Sequence, residues 1–300
     1  MVTPEELEAL DLLSWLRNGV DAASLAFCNQ STICRRSQQA LKVFNLVPSH
    51  GQGPHPQAGP SSLLRMEREV HQLFRLSGGS RLRLHAPYWA SRILANRLDP
   101  RWMLNPARQK EPVGAALGLL EDRIIDAMIT ESSQRPADDN PKFVCFDLYE
   151  VPLTLCAEVL ADEQASKPLY CEKNLSSRDV KSLSIVKPHG FLSPESKGCV
   201  FQLFNHLYGE SSALDCGSYR PLAEGSPVTF FMAHHPSLFE EFRHYRRIDS
   251  DCIFRAKESL VVLRGLEESP SILALLETLS STYLDPLRHH AEVLIDRAMA

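Results

Sequence analysis

The sequence predicts a multi-domain α+β protein with a small all-α head, one longer linking helix and a two-lobed α/β region. Three observations carry this. Residues 1–47 read as three short helices in succession, and a proline- and glycine-rich stretch then leads into a helix with heptad spacing. From Gly78-Gly79 onward, strand and helix patterns alternate. With 300 residues, the chain has room for two to three modest domains with real cores.

The head begins with Thr3-Pro4-Glu5-Glu6: Thr as N-cap, Pro at the first helical position, acids in the first turn where the helix dipole favours them. Leu7, Leu10, Leu13 and Trp15-Leu16 then share one face, and Asn18-Gly19 ends the helix. Asp21 can cap a second helix over 22–27, and Asn29 or Ser31 a third that runs to about Phe44. Helix, short helix, tight turn and a third helix rich in Arg and Gln is the helix-turn-helix pattern.

No Asp or Glu lies between Asp21 and Glu67, while Arg35, Arg36, Lys42 and Arg65 do. Such a window favours an anionic partner, although the adjacent arginines also read as a solvated helix face. In a major groove, Gln30 or Gln38 can make a bidentate contact to adenine, and Arg35 or Arg36 to guanine, with the other Arg on phosphate. Asn29, Ser31, Thr32 and the helix N-terminus complete this candidate double-stranded-DNA contact set through hydroxyl and N–H donors. Residues 1–80 carry seven basic and seven acidic groups, so the head is net neutral and its non-specific affinity for DNA is expected to be weak.

Residues 48–60 hold four prolines and three glycines in thirteen positions, which makes them a loop or wing. Ser61 or Ser62 can cap the helix that follows. Its Leu63, Met66, Val70 and Leu73 form a seam that suits a second copy of itself, or else packs on its own domain. Beyond it, 81–86, 102–104, 126–130, 143–148, 152–158, 183–187, 228–233 and 258–265 read as strands. Helices are expected over 89–98, 113–123, 195–207, 237–245 and 271–283, giving a mostly parallel α/β arrangement. Ligands in such domains sit outside the carboxyl ends of the strands. There lie Pro87, Tyr88, Asn105, Thr130, Ser132, His189 and Ser193, whose hydroxyls and neighbouring N–H groups suit a small carboxylate, although each also reads as a turn or cap residue.

The remaining signals exclude function classes. A net charge of −5 confines any nucleic-acid footprint to a patch. Eight cysteines are scattered without a CxxC pair, and the acidic start lacks a basic leader, so reduced thiols in a cytoplasm are expected. No apolar run reaches the roughly 18 residues that span a bilayer. No HExxH, P-loop or strand-borne GxGxxG accompanies the His234-His235 and His289-His290 pairs, so neither catalysis, a metal nor a cofactor is expected.

In four places the chain resembles the LysR-type transcriptional regulators. Ala22-Ala23 followed by Asn29-Gln30-Ser31-Thr32-Ile33-Cys34-Arg35 matches that family's small pair and its Ser-Gln-x-x-hydrophobic-Ser-Arg run. Cys34 stands in place of the usual Ser, and Ser37 in place of an aliphatic. The run LLEDRIIDAMIT (119–130) matches its helix-to-strand passage, where a helix ends before an Asp and a buried strand. Residues 145–161 and 259–279 resemble its central strands, return strand and last helix.

The resemblance implies a winged helix-turn-helix head over 1–60 and a dimerising linker helix over 61–77. It also implies a type 2 periplasmic-binding-protein-like effector domain, lobe I over 81–160 plus 256–300 and lobe II over 161–255. A DNA-binding regulator, dimeric or tetrameric and responsive to a small-molecule effector, is the expectation. The alternative is a two-lobed ligand-binding protein or enzyme whose N-terminal helices only mediate protein contacts.

Overall fold

The computed structural model describes residues 2–46, 61–106, 113–131, 135–152, 154–158, 229–232, 245–248 and 255–282. The expected wing (48–60), strand 183–187 and helix 195–207 lie outside them.

Three helices form the head: α1 (Pro4–Leu16), α2 (Gly19–Leu25) and α3 (Gln30–Val43). Thr3 closes a capping box on α1, its hydroxyl accepting from Glu6 N at 3.3 Å while Glu6 Oε2 accepts from Thr3 N at 2.9 Å. The second cap departs from expectation. Asn18, not Asp21, caps α2, its Oδ1 accepting from Val20 N at 2.9 Å, so α2 starts three residues earlier than the sequence suggested. A left-handed Arg17 (φ 50°) ends α1 just before it, which makes Asn18 the first residue able to cap. Asn29 caps α3, accepting from Thr32 N at 2.8 Å.

Helix α4 (Ser61–Leu76) follows and ends in a Schellman motif. Gly78 takes φ 91°, its N–H and that of Gly79 donating to Arg75 O and Phe74 O. Strand β1 (Leu82–His85), α5 (Tyr88–Leu94), β2 (Trp102–Leu104), α6 (Val113–Glu121) and β3 (Ala127–Glu131) come next. Then come β4 (Phe143–Pro152), β5 (Thr154–Glu158), β6 (Thr229–Met232), β7 (Tyr245–Ile248), β8 (Arg255–Leu263) and α7 (270–282).

A five-stranded sheet runs β2-β1-β3-β8-β4, with β1 parallel to both β2 and β3, as strands joined through a crossover helix must be. The second sheet corrects the expectation of parallel strands: β5 lies between β6 and β7 and is antiparallel to both. Tyr245, expected to end a helix, instead opens β7 opposite Glu158. A strand carrying Arg246-Arg247 is not the continuous apolar run that a doubly covered parallel strand needs.

The chain divides into two compact units. The first holds 1–129, 136–145 and 260–276; the second holds 130–135, 146–259 and 277–300. Head, α4 and most of the larger sheet therefore share one unit. Its main core joins Leu12, Trp15, Leu16, Ala22 and Ile33 from the head to Met103, Leu119, Leu120, Ile124, Met128, Val261 and Leu263 from the α/β part. A smaller core inside the head packs Leu7, Leu10, Ala40, Leu41 and Phe44 around Leu64 of α4.

Candidate nucleic-acid interface

Helix α3 is amphipathic, and its polar side faces out. Ile33, Ser37, Ala40 and Leu41 are buried, while Gln30, Ser31, Cys34, Arg35, Gln38, Gln39 and Lys42 are exposed. Ser37, at the position where an aliphatic was expected, folds its hydroxyl back onto Cys34 O at 3.1 Å, so a polar residue sits 5% exposed with its donor satisfied. Asn29 and Ser31 are bound to each other, Ser31 Oγ donating to Asn29 Oδ1 at 2.7 Å. Gln30 lies over Gly19, where an added Cβ would come within 2.9 Å of its Nε2. Thr32 is half-buried.

Arg35 is exposed and Arg36 half-buried, as the roughly 100° step between successive helical residues demands. Among the described residues no ion pair engages either. The acid-free window is nonetheless a feature of the sequence and not of the surface. Packing of α1 on α3 brings Thr3, Glu5 and Glu6 to the groove lined by Arg35, Arg36 and Gln39. These acids moderate the positive potential beside Arg35 and Arg36.

Helix α4 is amphipathic in the opposite sense. Leu63, Met66, Val70, Leu73 and Phe74 are between 54% and 63% exposed, while Arg68, Gln72 and Arg75, spaced four and three apart, are buried. Arg68 Nε donates to Asp11 Oδ1 of α1 at 2.8 Å. Arg75 binds Asp126 at the start of β3 through Nε at 2.9 Å and its terminal nitrogen at 2.8 Å, the bidentate fork that suits guanidinium to carboxylate. Gln72 reaches the same carboxylate at 3.2 Å. Arg83 of β1 completes the cluster by donating to Asp11 Oδ2 at 3.3 Å and Ile124 O at 2.9 Å.

Burial is the largest single influence on Arg75 and disfavours its charge, but Asp126, Asp11 and Glu8 together raise the pKa. Burial and the nearby Arg75 together lower that of Arg83. Arg68 and Arg75, which the sequence counted among the head's basic groups, are thus committed inside the molecule. Charge counting missed this because the partner carboxylates lie 57 and 51 positions away.

Four of the seven candidate ligand residues are described. Asn105 is 3% exposed and holds the end of β1, its Oδ1 accepting from Ala86 N at 2.7 Å and its Nδ2 donating to Ala86 O at 2.9 Å. Pro87 is the N-cap residue of α5, which starts at Tyr88, and makes no side-chain cap bond. Thr130 is buried in β3, at the point where the chain enters the second unit. Ser132, His189 and Ser193 lie outside the described residues. Among the described residues no group of three His, Cys, Asp or Glu could hold a metal ion, and no helix is long and apolar enough to cross a membrane.

This order of helical head, linker helix and α/β region is a fold shared with solved OxyR structures. Searches against family models and curated proteins give no match, but solved structures match almost end to end. A full-length OxyR variant from Pseudomonas aeruginosa is 13% identical with a TM-score of 0.55, over 94% of this chain and 95% of that one. A hydrogen-peroxide-bound OxyR mutant of Corynebacterium glutamicum is 12% identical with a TM-score of 0.50, over 98% of both chains.

Proposed function

We propose that the protein is a sequence-specific, DNA-binding transcriptional regulator acting in the cytoplasm as a dimer or tetramer. The observation that carries this reading is the outer face of α3. A capped helix presents Gln30, Arg35 and Gln38 outward, on a scaffold whose fold is that of regulators. Gln30 or Gln38 reads adenine, one of Arg35 and Arg36 reads guanine and the other holds phosphate, with Asn29, Ser31 and Thr32 at the backbone. The exposed seam Leu63, Met66, Val70 and Leu73 pairs with the same seam of a second copy, placing two heads on two half-sites. Leu64, Arg68, Gln72 and Arg75 face inward, which supports a partner on the outer side, since no other described element covers that apolar stripe. A small-molecule effector, for which a carboxylate is the fitting chemistry, would bind in the α/β domain.

The test is retention of genomic fragments by the purified chain at two salt concentrations. Enrichment of a dyad with half-sites one or more helical turns apart is expected. Equal retention of all fragments with steep loss in salt, or retention of none, rejects sequence-specific reading. It would favour helices that serve only protein contacts.

A further inference from the structure

Strand β1 has two faces with different tenants. Leu82 and Leu84 point to one side. Arg81, Arg83 and His85, at alternate positions, point to the other, and each holds a different part of the head. Arg81 donates to Leu25 O at the end of α2 and lies over the ring of Phe27 at 4.7 Å, gripping the turn that leads into α3. Arg83 holds Asp11 in the middle of α1. His85 accepts from Trp15 Nε1 at 3.2 Å near the end of α1.

The linker is tied to both partners as well. Leu64 sits in the head's own core, and Gln72 and Arg75 are fixed to Asp126 beside β1, whose carboxylate also accepts from Arg83 N at 2.9 Å. Parting head from sheet would break the buried Asp11–Arg83 pair. It would also open a core shared by Trp15, Ile33, Leu120 and Met128. The far end of the same strand is Ala86, held by Asn105 and by Ser91 Oγ at 3.1 Å where α5 begins.

We infer that β1 holds head and sheet as one body within a single chain, so that a displacement at the strand's Ala86 end is delivered directly to α3. Regulation then needs no flexible joint between linker and head, and a second copy fixes only the distance between heads. The output side of this inference rests on α3 being the DNA contact; the rigid coupling itself does not.

Amide hydrogen exchange on the full chain through a denaturant series tests the coupling without DNA. Amides of α1, α3 and β1 should lose protection together, with a common denaturant dependence. A head that opens alone, at lower free energy and with a smaller slope than β1, overturns the inference. Asn105→Ser should speed exchange in α1 and α3 along with β1, by roughly tenfold. Acceleration confined to β1 and α5 would show that the strand does not transmit.

Arg81→Gln leaves the buried pairs and α3 intact, yet should change affinity for retained operator fragments about fivefold or more. Unchanged affinity in a variant that still binds its operator overturns the output half. A wild-type chain with no operator at all defeats the DNA reading, while the exchange result still decides the coupling.

Discussion

Helices α3 and α4 carry a similar mixture of Arg, Gln and aliphatic residues and use it in opposite ways. On α3 the apolar residues go in, and Arg35 and Gln38 go out. On α4 the arginines and Gln72 go in, and the aliphatic seam goes out. What separates them is the surroundings each helix meets. The interior face of α4 meets Asp11 and Asp126, two carboxylates 1% and 0% exposed, and a buried carboxylate demands a cation. The interior face of α3 meets hydrocarbon, Leu7 and Leu10 against Ala40 and Leu41, and Leu12, Trp15 and Ala22 in the core that holds Ile33. An arginine in this protein therefore faces solvent or serves as an internal strut according to what lies opposite it.

Breaking the inner side of α4 should have the largest effect. Asp126→Ala removes a carboxylate that holds Arg75, Gln72 and the β1 backbone, and leaves a buried guanidinium unmatched. A loss of about 3–5 kcal/mol in denaturant unfolding is expected. A loss below about 1 kcal/mol would show the cluster to be incidental.

Acid should act next, through His85. Its ring is neutral, with Nδ1 accepting from Trp15, and burial lowers its pKa to about 4 from 6.5. The unfolded chain therefore takes up a proton from about pH 6.5 downward while the folded one refuses it until about 4. Stability present above that window is lost as pH falls through it, with no further loss from this group below it. The difference amounts to about 3 kcal/mol. The pH dependence of the denaturation midpoint should be flatter in His85→Gln, and an equal slope in both proteins would remove His85 as its source.

The outer side of α4 gives the next effect, and it is one on association rather than folding. Val70→Glu should weaken self-association by about 2 kcal/mol or more in sedimentation equilibrium. The melting of the monomer should hardly move, because the side chain already stands in solvent. Arg35→Ala should have the smallest effect, about 1–3 kcal/mol in operator affinity, with specificity relaxed at one base pair. Uniform weakening across sequences, with a salt slope shallower by about one, would reassign Arg35 to phosphate.

Local signals were legible and long-range ones were not. Thr3 with Glu6, the run from Asn29 to Leu41 and the Leu63–Leu73 seam could be read because capping and periodicity are decided within a few residues. The five strands of the larger sheet were legible as apolar runs between turn residues. Nothing in the sequence close to Arg68 or Arg75 announces a buried partner, since charged side chains are seldom buried and periodicity alone assigns them to solvent. The acid-free stretch from Asp21 to Glu67 misled in the same way: helix packing brings Glu5 and Glu6 to the groove lined by Arg35 and Arg36, across some thirty positions of chain. Asp126 was visible as the residue ahead of a buried strand, but its role as the hub for α4 and β1 was not.

The first unit is closed by residues from far along the chain. Val261, Leu263 and Leu266 lie in the core that holds Trp15, and Ser271 Oγ donates to Leu76 O at 3.2 Å, one of the carbonyls that α4 leaves unbonded at its end. On a ribosome the first three helices emerge early, but the residues that complete their core follow more than two hundred positions later. The packing around Trp15 is therefore completed only by the C-terminal segment, and a chain cut short before residue 260 would lack that part of the core.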